Sequence, residues 1–235
     1  MDKEKRRKNK IIIFLMYPLI LLGILFLSSP WLAPYLSKQF SKRNSIFTMS
    51  SQEKRENQTK EATYNYAEAQ FITPLDIYEA TFKSNILGDR PAIVGSIAIP
   101  SVNIQLPIIK GISQQALSLG AGTMKANEKM GKNNYALASH NMNDDTVLFS
   151  PLHHIQIGDN IYTSDGKFVF FYKTTTKKYV DPSDIEVIQN HGREEITLVT
   201  CSMSGKTRLI VQGIYEGKEE ITNVSGSIKK VFNLS

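Results

Sequence analysis

The sequence predicts a mainly β domain, a closed or nearly closed barrel rich in antiparallel pairs, in the carboxy-terminal part of the 235-residue chain. From about Ile86 the chain consists of short β-prone runs that are bounded by glycine, proline or polar turn residues. Eight or nine such runs fall within roughly 150 residues, and strands this short with turns this frequent are typical of a barrel. That length also suffices for one well-buried core.

The expected strands alternate apolar and polar residues or form short apolar runs. They fall at residues 92–99, 102–109, 135–139, 160–163, 168–173, 178–180, 185–188, 196–201 and 207–215. Short helices are expected at 113–119 and 146–154.

The amino terminus has the pattern of a membrane anchor. Residues 1–10 hold six Lys/Arg and two acidic residues, and no charged residue follows until Lys38. An apolar run of this length is about right for one bilayer crossing, so we expect a transmembrane helix over residues 11–36. The positive-inside rule places residues 1–10 in the cytoplasm and everything after about residue 37 outside. A cleaved signal peptide is the alternative, but no small-x-small cleavage site follows the long apolar stretch.

The distribution of charge argues against nucleic acid as a partner. Of the 28 basic and 22 acidic residues, six and two lie in the first ten residues, which leaves 22 and 20 for the rest. The high pI therefore belongs mostly to the flank of the anchor, and the balanced remainder argues against a nucleic-acid-binding surface.

Residues 37–85 are expected to be an extracellular stalk or linker ahead of the barrel domain, residues 86–235. The stretch is polar at first, which is typical of a linker. A helix is expected around 52–69, and the more apolar residues 71–83 could form a helix that packs on the domain.

Cys201 is the only cysteine of the chain, and its position indicates a reactive site. It ends one expected strand, and Arg208 begins the next after a short loop in which Gly205 can adopt a positive φ. A thiol near a permanent cation ionises more easily, and the thiolate is the nucleophile. The alternative is a small buried hydrophobe, which is how free cysteine often behaves. An unpaired thiol in an exported protein nevertheless favours reactivity.

A cysteine nucleophile needs a base or an imidazolium partner, and the chain has four histidines. His140 ends an apolar strand and opens a polar loop, a position that suits a catalytic residue. His191 lies in an Asn-His-Gly-Arg turn that is expected at the surface. His153 and His154 are adjacent, so only one of them can face a given site.

The sequence lacks the motifs of phosphate-binding, metal-binding and serine hydrolase sites. Gly205-Lys206-Thr207 has the end of a phosphate-binding loop, but Thr200 stands where its first glycine must be. Metal-site spacing and a Gly-x-Ser-x-Gly elbow are both absent from the sequence. We therefore expect neither a metal nor a cofactor.

Three pieces of the sequence resemble the sortases, membrane-anchored cysteine transpeptidases of Gram-positive bacteria. Thr197-Leu-Val-Thr-Cys201 is similar to their Thr-Leu-x-Thr-Cys signature, Tyr135-Ala-Leu-Ala-Ser-His140-Asn-Met resembles their histidine strand and loop, and Arg208 stands where their arginine falls. The resemblance covers about residues 94–215 and the anchor, and it implies an eight-stranded sortase-type β-barrel. A single amino-terminal anchor resembles class A. The helices typical of class B would not fit between Val180 and Glu195, and the Asp-Pro lid of class C is not found ahead of the barrel.

The resemblance implies a reaction and its participants. Cys201 would attack the Thr–Gly bond of a C-terminal Leu-Pro-x-Thr-Gly signal on a surface protein, with His140 as acid and base and Arg208 at the developing oxyanion. The acceptor would be the amine of a lipid-linked peptidoglycan precursor at the cytoplasmic membrane. Candidate residues for the substrate pocket are Val187, Ile188, Val199 and Thr200. A thiol protease with water as acceptor and a non-catalytic membrane-tethered binding module remain as alternatives.

The resemblance also raises the question of calcium, which stimulates some class A sortases by binding between two loops. Here the first of these loops, residues 125–134, has three lysines and a single carboxylate. Because calcium takes six to eight oxygen ligands, several of them carboxylates, we expect no calcium site.

Overall fold

The structure is a computed structural model that describes residues 34–65, 74–142, 144–202 and 204–234, together with 14, 16–20, 23 and 32. The expected cytoplasmic tail, residues 1–10, and most of the expected anchor, residues 11–36, lie outside these described residues. Within the described part, no helix combines the length and the apolar character that a membrane crossing requires.

Eight strands form a closed barrel in the order β1-β2-β3-β4-β7-β8-β6-β5. Two neighbouring pairs, β2 with β3 and β4 with β7, are parallel, and the other pairs are antiparallel. This confirms the predicted mainly β, eight-stranded barrel. The strands are β1 (Ile93–Ile99), β2 (Ile104–Ile109), β3 (Ala121–Thr123), β4 (Asn134–Ala138), β5 (Asn160–Ser164), β6 (Phe168–Val180), β7 (Glu195–Cys201) and β8 (Arg208–Glu220).

In the described part of the chain from residue 34 onward, the helices are short and lie outside the sheet. The α-helices are α1 (34–43), α2 (Ser51–Thr59), α3 (Pro74–Ile86), α4 (Gln114–Leu119) and α5 (Gly226–Val231). Turns of 3₁₀-helix occur at Ile46–Thr48, Pro100–Val102, Ser150–His154 and Glu186–Ile188.

The structure differs from the sequence prediction in three strand segments. The expected strand at 185–188 is a 3₁₀ turn, because the backbone N–H of Gln189 donates to the carbonyl of Glu186 within the turn instead of to a neighbouring strand. The two runs at 168–173 and 178–180 are one continuous strand, β6. Strand β3 was missed because it has only three residues, which is too short for a periodic pattern.

The expected helix at 146–154 forms only in its second half, Ser150–His154. Leu148 has a φ of 53°, in the left-handed region, so a regular right-handed helix cannot pass through it.

The interior of the barrel is filled by apolar side chains from its strands. Ile97, Leu137, Leu198 and Tyr172 are among the fully buried residues of this core. The Tyr172 hydroxyl accepts a hydrogen bond of 2.8 Å from the backbone N–H of Gly131, so the polar end of this buried ring is satisfied.

The described part of the expected stalk lies against the barrel. Phe40 and Ile46 are buried in one apolar cluster with Ile93 of β1 and Ile109 of β2. Helix α2 begins with a capping box between Ser50 and Glu53, and its Asn57 amide donates to the Ile93 carbonyl at 3.0 Å. These contacts fix the amino-terminal helices on the outside of the sheet.

Candidate active site

The parallel pairing of β4 with β7 brings two chain segments to the same end of the barrel. Ala138 pairs with Val199, and the backbone N–H of Ser139 donates to the Val199 carbonyl at 3.2 Å. Because the strands run in the same direction, His140 and Cys201 both lie at the carboxyl ends of their strands. Two motifs about 60 residues apart in sequence therefore meet in space.

The β7–β8 hairpin places Cys201 directly across from Arg208 in the ladder. The connecting loop is closed by a 2.9 Å hydrogen bond from the Ser202 N–H to the Thr207 carbonyl. Gly205 has a φ of 71°, a conformation that favours glycine. The hairpin and its glycine agree with the sequence prediction.

His140, Cys201 and Arg208 line one small cleft. Its other walls are Leu117, Ala138, Ser139, Val199 and Thr200. The volume of the cleft that a water-sized sphere can occupy is only about 20 Å³, enough for roughly one water molecule. The cleft is therefore a shallow depression rather than a deep pocket.

The imidazole of His140 is neutral in the resting site. The residue is 4% exposed, and this burial lowers its pKa to about 4. The carboxylate of Asp76 on α3 opposes the pKa shift, while the Arg208 cation adds to it. Among the residues that the structure describes, Nε2 of His140 has no hydrogen-bond partner, although this nitrogen is buried.

Cys201 is half-buried, and burial raises the pKa of its thiol. The Arg208 guanidinium lowers the pKa, as the sequence argument expected, but burial has the larger effect. The resting site therefore contains a neutral thiol and a neutral imidazole beside a fixed cation.

The four candidate substrate residues separate into two groups. Val199 and Thr200 line the cleft. Val187 and Ile188 lie on the 3₁₀ turn between β6 and β7 and are buried in an apolar cluster with Val199 and Leu117. The structure thus places the first pair in the lining of the cleft and the second pair in the apolar cluster next to it.

Sequence reasoning missed a polar group next to Cys201. The Asn141 side-chain amide donates to the Cys201 carbonyl at 3.0 Å and contacts Nε2 of His153 at 3.1 Å. A pattern that links His153 to this site is not visible in the sequence, because the contact depends on how the loop 141–155 folds back.

Comparison with known proteins agrees with this geometry. Residues 97–215 match the family described as the Sortase domain. The chain belongs to the sortase family. Sortases are cysteine transpeptidases, so the chain is an enzyme of that type.

Two relatives align over most of this sortase. Sortase A of Listeria monocytogenes is 33% identical over 206 residues, which cover 87% of this chain and 91% of the relative. Sortase A of Streptococcus agalactiae is 36% identical over 223 residues, which cover 92% and 88%. The crystal structure of the Listeria monocytogenes sortase A superposes with a TM-score of 0.57 at 36% identity, covering 61% of this chain and 99% of that one. These similarities indicate a class A-like sortase that acts on surface proteins of the cell wall.

Proposed function

We propose that this sortase cleaves a C-terminal Leu-Pro-x-Thr-Gly-type signal between Thr and Gly and joins the surface protein to the amine of a lipid-linked peptidoglycan precursor. The observation that supports this most is the meeting of His140, Cys201 and Arg208 in one cleft. The similarity to two sortase A proteins over most of their length supports the same substrate class.

The first half of the reaction forms a thioester. Because the thiol and the imidazole are both neutral at rest, the thiol proton passes to His140 as the Cys201 sulfur attacks the threonine carbonyl carbon. The resulting imidazolium then donates that proton to the leaving glycine nitrogen as the C–N bond breaks. Burial favours this donation, because a histidine with a lowered pKa is a stronger acid.

The second half reverses these roles. The acceptor amine attacks the thioester carbon, His140 removes a proton from that amine, and the Cys201 sulfur leaves and is protonated again. In both halves negative charge develops on the carbonyl oxygen. Arg208, fixed across the ladder from Cys201, offers that oxygen a cation and several N–H donors.

Substrate contacts are proposed for Val199 and Thr200, which line the cleft. Val187 and Ile188 would support this lining through the apolar cluster that they share with Val199. In this proposal, residues 86–235 form the catalytic domain, residues 37–85 connect it to the membrane, and residues 11–36 anchor it with residues 1–10 in the cytoplasm.

A peptide assay tests the function. The full-length chain in detergent is incubated with a fluorogenic Leu-Pro-x-Thr-Gly peptide, with and without an amine acceptor. Transfer of the acyl group to the amine supports the proposal, whereas hydrolysis alone at every amine concentration would indicate a thiol protease.

Protease added outside intact protoplasts tests the orientation. Release of the region after about Ser37, with the basic tail protected, is expected. Mature protein that begins between residues 28 and 40 would instead indicate a cleaved signal peptide.

A further inference from the structure

A hydrogen-bonded chain connects the backbone of Cys201 to strand β6. Asn141 Nδ2 lies 3.0 Å from the Cys201 carbonyl oxygen and 3.1 Å from His153 Nε2. On the other side of the ring, His153 Nδ1 lies 3.2 Å from the Tyr179 hydroxyl. These hydrogen bonds thus connect Cys201 to Asn141 in the loop after β4, to His153 in the 3₁₀ turn, and to Tyr179 on β6.

The partners determine which atom donates each hydrogen bond. A backbone carbonyl oxygen can only accept, so the amide group of Asn141 that faces Cys201 must be its NH₂. The 3.1 Å contact between this NH₂ and Nε2 of His153 is a hydrogen bond only when Nε2 accepts, because the amide nitrogen cannot. The ring proton of neutral His153 is therefore on Nδ1, from which it donates to the Tyr179 hydroxyl.

The backbone around His153 is held in place as well. Lys177 Nζ donates to the carbonyl oxygens of His153 and Ile155 at 2.8 and 3.1 Å. The imidazole also stacks on Tyr179, with a centroid distance of 6.3 Å and an interplanar angle of 21°. These contacts fix the end of the 3₁₀ turn and limit the rotation of the ring, so Nε2 stays directed at Asn141.

We infer that His153 is a positioning residue, which in its neutral, Nδ1-protonated form holds Asn141 and through it the carbonyl of Cys201. The inference rests on the proposed role of Cys201 as nucleophile. Protonation of His153 would place an Nε2–H against the Asn141 NH₂, two donors 3.1 Å apart, and the hydrogen bond between these two side chains would be lost. His153 would act through Asn141 and would not touch the substrate.

The surroundings of His153 favour the neutral ring. Burial lowers its pKa below the usual value for histidine; the Cys201 carbonyl and Asp145 oppose the shift, and Lys177 and His154 add to it. Tyr179 completes the groups that face the ring. Above the lowered pKa of His153 the link is intact, and it is lost as the pH falls through that value.

NMR can determine the tautomer of His153 without any activity measurement. A long-range ¹H–¹⁵N spectrum of the full-length labelled chain in detergent contains signals from only four histidines. The His153 signals, assigned by their absence in His153→Gln, should show a protonated Nδ1 and an unprotonated Nε2. A proton on Nε2 at neutral pH would overturn the inference, whatever the outcome of the peptide assay.

Variants test the link to catalysis. His153→Gln can still accept from Asn141 and does not titrate, whereas His153→Lys offers no acceptor. We expect His153→Lys to lower kcat on the order of tenfold with little change in KM, because displaced catalytic groups cost rate. His153→Gln should retain most of kcat and should extend the active range to lower pH than wild type.

His154→Lys is the matched control, because it places the same charge one residue later on an exposed side chain paired with Asp145. Its kcat should equal that of wild type. Wild-type kcat in His153→Lys, or identical acid limbs in wild type and His153→Gln, would contradict the positioning role. Absence of any transfer by wild type, with the Nδ1 tautomer present, would instead disprove the proposed function alone.

Discussion

The Thr200 hydroxyl donates a 2.8 Å hydrogen bond to the carbonyl oxygen of Ser139, and both residues are buried. These are the residues that precede Cys201 and His140, so one side-chain hydrogen bond ties together the ends of β4 and β7 where the two reactive groups stand. The last backbone hydrogen bond between β4 and β7 joins the Ser139 N–H to the carbonyl of Val199, one residue before Thr200. The threonine thus sets the spacing of the site beyond the last rung of the ladder.

Thr200→Val should lower both stability and activity. Valine keeps the shape of threonine but leaves the buried Ser139 carbonyl without this donor, which costs about 1–3 kcal/mol. Urea unfolding measures the loss, and peptide cleavage measures the effect on kcat. Thr200→Ser, which retains the hydroxyl, should remain closer to wild type in both, and equal losses in the two variants would show that the hydrogen bond is not the cause.

Arg208→Lys should lower kcat on the order of 100-fold, nearly as much as Arg208→Ala. The ammonium retains the charge but cannot reproduce the planar fork of N–H donors opposite Cys201. Steady-state cleavage of the signal peptide measures this, with the exposed Arg90→Lys as control. Wild-type turnover in Arg208→Lys would refute the role at the oxyanion.

Glu128→Gln should stabilise the protein at high pH. The carboxyl side chain is 3% exposed, and burial raises its pKa to about 7 from an ordinary 4.5. A raised folded-state pKa means that stability is fully present below pH 4.5 and is lost as the pH rises through 7. The gain at pH 8 should be on the order of 3 kcal/mol, and it should vanish near pH 4.

Urea unfolding at both pH values measures this difference. Glu194→Gln, at an exposed surface pair with Lys132, is the control and should change stability by less than about 0.5 kcal/mol at either pH. A Glu128→Gln protein no more stable than wild type at pH 8 would contradict the buried-charge account.

Peptide transfer should not depend on calcium. The Lys125 ammonium donates to the carbonyl oxygens of Asn134 and Ile188 at 2.7 and 2.6 Å, so a cation of the chain itself joins the β3–β4 and β6–β7 loops. Within the described residues, no group of three or more His, Cys, Asp or Glu could hold a metal ion. A several-fold rise in turnover on adding millimolar calcium after chelation would contradict this expectation.

The predictable parts of this fold are those encoded in local patterns. The eight-stranded barrel follows from short runs and turn residues, and the Cys201–Arg208 pairing follows from a hairpin with glycine at a positive φ. Parallel pairing, which brings His140 beside Cys201, joins distant segments and leaves no local pattern, so only the resemblance to sortases indicated it. The direction of the pKa shift of Cys201 could not be predicted from the sequence either. Burial raises this pKa by more than Arg208 lowers it, and burial depends on packing.

The proposed thioester on Cys201 can be measured directly by intact mass spectrometry. The full-length chain is mixed with a signal peptide, quenched in acid and weighed, and since Cys201 is the only cysteine the site of a thioester is unambiguous. We expect an adduct equal to the peptide up to its threonine, which disappears when an amine acceptor is added and which His140→Ala, but not His154→Ala, fails to form. A chain that releases amine-linked product without ever showing this adduct, or that still does so as Cys201→Ala, would contradict the account.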